Sequence, residues 1–155
     1  MKRLSPAFLI LVLVLVAASV VLGGCGGTMN ADKAFFEKVT TAYTNQDAAA
    51  AKQLFATDAS LHWNWPAVSG EAAETTTGID AISSLVASGE KGHPTPMGYV
   101  FTYVPSSKDL GNLTAAYDGA RYIAGPIYVA RDLYLLVLEV RDGKVTNQYV
   151  EALHQ

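Results

Sequence analysis

Apolar positions fall into three regimes along the 155 residues of the chain. From Ala7 to Leu22 they are almost continuous, after the basic pair Lys2 and Arg3 and before the small residues Gly23 and Gly24. A basic start, an apolar run and small residues at its end are the three parts of a secretory signal. The run is shorter than the roughly 20 apolar residues needed to cross a bilayer, so residues 1–24 are expected to be a cleaved export segment and not a span.

The second regime has a helical period. Phe35, Phe36, Val39, Ala42 and Tyr43 recur on one helical face after Asn30, a plausible cap, while Lys33, Glu37, Lys38 and Thr41 take the other side. Asn45, Gln46 and Asp47 interrupt the pattern. Asp47 suits the cap of a second helix, on which Ala51, Leu54 and Phe55 lie together. Strict alternation over Leu61, His62, Trp63, Asn64 and Trp65 predicts a half-buried strand ending before Pro66. After a polar loop to Gly78, Ile79, Ile82, Leu85 and Val86 form another helical stripe, closed by Gly89, and residues 89–96 connect onward.

In the third regime the period is two. Tyr99, Phe101 and Tyr103 alternate with Val100, Thr102 and Val104, and strand-like runs follow at 113–117, 122–129, 133–140 and 145–152. Arg141, Asp142, Gly143 and Lys144 separate the last two, and Asp-Gly is a strong hairpin signal. Helices first and an antiparallel sheet afterwards predict an α+β domain.

Charge and cysteine count narrow the picture. Without Lys2 and Arg3, nine of the 11 basic residues face all 14 acidic ones, a net charge of −5 on the portion after residue 24. That balance excludes nucleic acid and disfavours anionic headgroups as partners. The 131 residues beyond position 24 are enough for one domain that buries roughly two thirds of its unfolded surface. Cys25 is the only cysteine, so stability must come from the core without a disulfide.

Leu22, Gly23, Gly24 and Cys25 resemble the lipobox of bacterial lipoproteins. The resemblance implies a diacylglycerol thioether on Cys25, cleavage after Gly24, residues 25–29 as a short tether, and residues 30–155 as a domain held to a lipid bilayer. The implied location is the outer face of the cell membrane or another envelope membrane. Two or more acyl chains, at about 0.8 kcal/mol per buried methylene, anchor a protein stably.

Three phrases carry a second resemblance: AYTNQDAAAAKQLFATDASLHW at 42–63, GIDAI at 78–82 and LEVRDGKVTNQYVE at 138–151. In this order they are similar to the SnoaL-like proteins of the nuclear transport factor 2-like superfamily. The resemblance implies N-terminal helices packed on a strongly curved antiparallel sheet, a cone with an open apolar pocket. The same fold hosts isomerases, cyclases, dehydratases, binding modules and assembly domains, so function has to be argued from the site.

Isomerase-type and cyclase-type relatives place an ionisable group inside the cone, as proton abstraction beside a carbonyl requires. With Trp63 and Trp65 turned inward, His62 and Asn64 turn outward and the expected inward carboxylate is missing. The candidates for acid–base chemistry are then His62, since imidazole is the side chain best suited in general to proton transfer near neutral pH, and Glu151 on the last strand, where Val145, Asn147, Tyr149 and Glu151 are expected to share a mixed face. Glu139 is expected to be exposed near the hairpin, and His93 and His154 lie in a loop and at the chain end. No phosphate-binding loop, nucleophile elbow or metal-ligand spacing is present, so no metal and no cofactor is implied.

Aromatic residues are what the strands supply. Tyr43, Trp63, Trp65, Tyr99, Phe101, Tyr103, Tyr134 and Tyr149 are the expected lining of a pocket for a small, mostly apolar guest. The leading expectation is a noncatalytic binder of a small apolar or aromatic ligand. The alternatives are a cofactor-independent isomerase or cyclase, and an interaction module whose open sheet face pairs with a second copy or another envelope protein.

Overall fold

The computed structural model describes residues 30–64, 73–103 and 119–152. The expected export segment at 1–24, Cys25 and the expected tether at 25–29, Trp65, the strand-like run at 113–117 and His154 lie outside the described residues.

Helix α1 occupies residues 30–44. It already includes Asn30, which was expected to cap it. Phe36, Val39, Ala42 and Tyr43 are buried along one face, as the spacing predicts. The chain leaves α1 through Gln46, whose φ of 53° turns it sharply while Asp47 N–H donates to the Ala42 carbonyl at 2.9 Å. Asp47 then caps α2 (Ala48–Leu54), accepting from Ala50 N–H at 2.9 Å. Such a cap is worth about 1 kcal/mol.

Strand β1 (Phe55–Asn64) starts directly at the end of α2. Phe55, read as the last member of a helical stripe, is therefore a strand residue; it is buried all the same. Strand β2 (Glu74–Thr77) occupies the end of the expected loop and pairs antiparallel with β1. Helix α3 (Ile79–Ser88) buries Ile82 and Val86 and stops at Gly89. Two short strands follow, β3 (Thr95–Pro96) and β4 (Phe101–Tyr103), and then three long ones, β5 (Arg121–Val129), β6 (Asp132–Arg141) and β7 (Lys144–Ala152). Between β6 and β7, Asp142 and Gly143 take φ of 49° and 75°, the paired positive values of the tight turn that Asp-Gly predicts.

The described strands form one sheet in the order β2-β1-β7-β6-β5-β3, with β4 also on β5. The pairings are antiparallel except β1 with β7, which run parallel and bring the first long strand beside the last. The described helices pack on one face. There Phe36, Val39 and Tyr43 of α1 and Ile82 and Val86 of α3 meet Leu61, Trp63, Ile123, Leu136, Leu138 and Val150 in one core cluster. A bulge at the start of β7 pairs Val140 with Val145 but Glu139 with Asn147. Val145 consequently joins the buried core instead of sharing a face with Asn147, Tyr149 and Glu151.

Candidate functional site

The expected pocket residues separate into two groups on opposite faces of the sheet. Tyr43, Trp63 and Tyr134 lie on the helix-covered face and are buried. Tyr99, Phe101 and Tyr103 do not line the interior. Phe101 and Tyr103 pair with Ala124 and Tyr122 across β4 and β5, while the intervening Thr102 points the other way and donates to Asp32 of α1 at 2.8 Å. Tyr149 is on that outer face too, stacked on His62 with ring centroids 4.9 Å apart and planes inclined by 12°.

His62 and Glu151, the candidate acid–base pair, share this outer face with Tyr149. His62 Nδ1 lies 3.2 Å from Thr75 Oγ1 on β2, and Glu151 is exposed. Neither reaches the space between the helices and the sheet. Glu139, expected to be exposed, is buried on the outer face, where Arg141 Nε at 2.9 Å and Asn147 Nδ2 at 3.0 Å donate to its two oxygens.

The interior holds a polar arrangement of different composition. Tyr43 of α1 and Trp63 of β1 meet edge to face, with centroids 5.8 Å apart at 83°. Lys91, just beyond α3, places its buried ammonium 5.7 Å from the Trp63 ring centroid and pairs with Glu74 of β2. On the other side, Tyr43 Oη donates to Gln148 Oε1 at 3.4 Å, a long bond. Burial pushes the Tyr43 hydroxyl well above its usual pKa, partly offset by that bond to Gln148.

Gln148 is the residue that sequence reasoning missed. It is 0% exposed, and its Nε2 has no hydrogen-bond partner among the described residues. Turning the amide over would make Tyr43 Oη accept from Nε2 and leave both the Tyr43 hydroxyl proton and Gln148 Oε1 without partners among the described residues. The orientation with Nε2 as the single orphan is therefore the better satisfied one. A buried amide donor without an acceptor costs about 1–3 kcal/mol. Its signal was present in the alternation of β7, where Gln148 shares the inward phase with Val150 and is the polar exception there.

A groove of about 660 Å3 lies elsewhere, on the outer side of α1 and α2, lined by Glu37, Lys38, Thr41, Asn45, Asp47 and Gln53 among others. None of the expected pocket aromatics contributes to it.

The chain superposes on an NTF-2-like protein of unknown function from Silicibacter pomeroyi with a TM-score of 0.52 at 15% identity, covering 83% of this chain and 98% of that one. It superposes on a protein from Sphaerobacter thermophilus with a TM-score of 0.51 at 12% identity, covering 78% and 94% of the two chains. No family model and no curated protein matches the sequence. At these identities the likeness establishes the fold alone: helices on a curved, unclosed, mostly antiparallel sheet of the NTF-2-like kind.

Proposed function

We propose that the protein is a membrane-anchored, SnoaL-like binding protein that holds a small, mostly apolar molecule bearing one hydrogen-bond acceptor, without catalysing a reaction. The observation that carries the reading is the buried, unpaired Nε2 of Gln148 between the aromatic helix α1 and the sheet. A guest carbonyl or ether oxygen placed there would recover the energy the lone donor forfeits, while Tyr43 and Trp63 offer apolar surface to the rest of the molecule. The placement of His62 and Glu151 on the far face favours binding over proton transfer.

The test compares aromatic ketones with hydrocarbons of the same shape by native mass spectrometry and calorimetry. The ketone is expected to bind about tenfold more tightly, the equivalent of roughly 1.4 kcal/mol. In Gln148→Leu combined with Tyr43→Phe, which removes both hydrogen-bonding partners and leaves no new orphan, that preference is expected to disappear while hydrocarbon binding persists. A wild-type protein that takes neither class, or a preference that survives in the double variant, overturns the reading.

Export and anchoring rest on the basic start, the apolar run and the Leu-Gly-Gly-Cys sequence ending at Cys25. Cys25→Ser is expected to abolish both labelling by radioactive palmitate and removal of residues 1–24. Persistence of both in the variant contradicts the anchor.

A further inference from the structure

We infer that the β4 edge, through Tyr99, Phe101 and Tyr103, is a second membrane contact that seats the domain on lipid headgroups; this rests on the anchored reading of Cys25. The three side chains are 52%, 64% and 54% exposed, and Met97 and Tyr128 beside them are exposed as well. A contiguous cluster of large apolar side chains on the surface of a domain is often an interaction site. Tyr99 and Phe101 are already packed on each other, with centroids 5.7 Å apart at 78°, so little further ordering is needed for them to engage a surface.

The position of the anchor selects that occupant. Asp32, in the first turn of α1, accepts from Thr102 Oγ1 of β4 at 2.8 Å and pairs with Arg121 of β5 at 3.0 Å. These bonds fasten the point where the tether enters the domain to the strand that carries the exposed aromatics. Cys25 precedes Asp32 by seven residues, a span of at most about 25 Å even when fully extended. Acyl chains inserted at Cys25 therefore keep the bilayer within reach of the β4 edge.

The side-chain chemistry agrees. Tyrosine, with an apolar ring and a polar tip, suits the depth of the headgroups. On the neighbouring strand β5, the same face carries Tyr122, Ala124 and Tyr128 with Pro126 buried between them, and the carboxylate opposite Tyr122 on β6, Glu139, is itself buried and bonded to Arg141 and Asn147. With a net charge of −5 after residue 24, attraction to anionic lipid does not drive the contact, which is apolar and interfacial. Its consequence is orientation: the domain stands in one pose on the membrane instead of swinging about residues 25–29.

The experiment uses the mature acylated protein, beginning at Cys25, in phosphatidylcholine vesicles. Lipid on Cys25 leaves a single labelling thiol in Thr95→Cys, on β3 beside Tyr128, or in Ala81→Cys, on α3, which packs at the opposite edge of the sheet. Each carries an environment-sensitive fluorophore, and vesicles with brominated acyl chains serve as quencher. Expected is at least a twofold loss of emission at position 95 and none at 81, with the loss abolished by Tyr99→Ser/Phe101→Ser in protein whose circular dichroism is unchanged. Equal emission at both positions, or quenching that survives the double substitution, overturns the inference. Shielding at 95 without bromine quenching, growing with protein density in the vesicle, identifies a second copy as the occupant and also overturns it. The intact mass separates the two claims: without diacylglycerol on Cys25 the anchor fails and the inference with it, whereas an acylated protein unquenched at 95 refutes the contact alone.

Discussion

Trp63→Ala is expected to lower the free energy of unfolding by about 3–5 kcal/mol, the range for removing a large aromatic from a packed core. The side chain is 2% exposed, set edge-on against Tyr43 and lying beneath the Lys91 ammonium, so truncation leaves a cavity beside a buried charge. Domains of this size have only about 5–15 kcal/mol in total, and much of the population would lose its structure on mild warming. His62→Ala, one residue earlier, is expected to cost about 1 kcal/mol, because it removes a half-exposed ring stacked on Tyr149 and a solvent-accessible contact to Thr75 Oγ1. Urea unfolding of the two variants side by side measures the difference. Equal losses would mean that β1 does not present Trp63 inward and His62 outward.

That contrast was legible in the sequence because alternation over residues 61–63 assigns neighbours to opposite faces, and burying Trp63 leaves one phase for the strand. Asp47 as a cap, α3 ending at Gly89, and the Asp142-Gly143 turn were legible for a similar reason: each is decided by local chemistry within four residues. The missed features depend on distant partners. Strand β2 reads Glu-Thr-Thr-Thr and is almost wholly exposed, an edge strand without the apolar phase that would announce it. The parallel pairing of β1 with β7 joins residues 87 or more positions apart, as His62 with Tyr149 shows, and no local signal encodes it.

Of the site, the sequence revealed which residues share a face but not which face each strand turns inward. For residues 99–103 the larger side chains were expected inside. The structure puts Val100 and Thr102 toward α1 instead: Thr102 finds a hydrogen-bonding partner in Asp32, and Val100 packs against the core. The aromatic phase is thereby left on the exterior. In β7 the phase is set by burial of Val150, and Gln148 is carried inside with it. Hydrophobic patterning treats such a glutamine as noise, although a buried amide is among the polar groups that fix the orientation of a ligand in an apolar pocket.

Gly125→Val is expected to destabilise the protein by at least about 1–3 kcal/mol, the usual cost of forcing extra volume into a packed region. Glycine inside a strand normally weakens it, so an open site would be expected to gain stability from a β-branched replacement. Here the sign reverses. A Cβ at position 125 would lie 2.9 Å from the Tyr99 carbonyl oxygen, 3.1 Å from Phe36 Cζ and 3.2 Å from Val100 Cγ1. Phe36 is held in the core and the Tyr99 oxygen belongs to the backbone, so relief requires the segment leading into β4 to move away from β5. The damage should therefore be uneven. Hydrogen exchange is expected to accelerate at residues 101–103, whose ladder with β5 is opened, while the β6–β7 hairpin, separated from β4 by β5, keeps its protection relative to the lowered global stability. A valine variant as stable as the wild type, or one that loses protection uniformly, would show that β4 and α1 do not close on Gly125 from two sides, and the aromatic edge would lose the support that holds it in place.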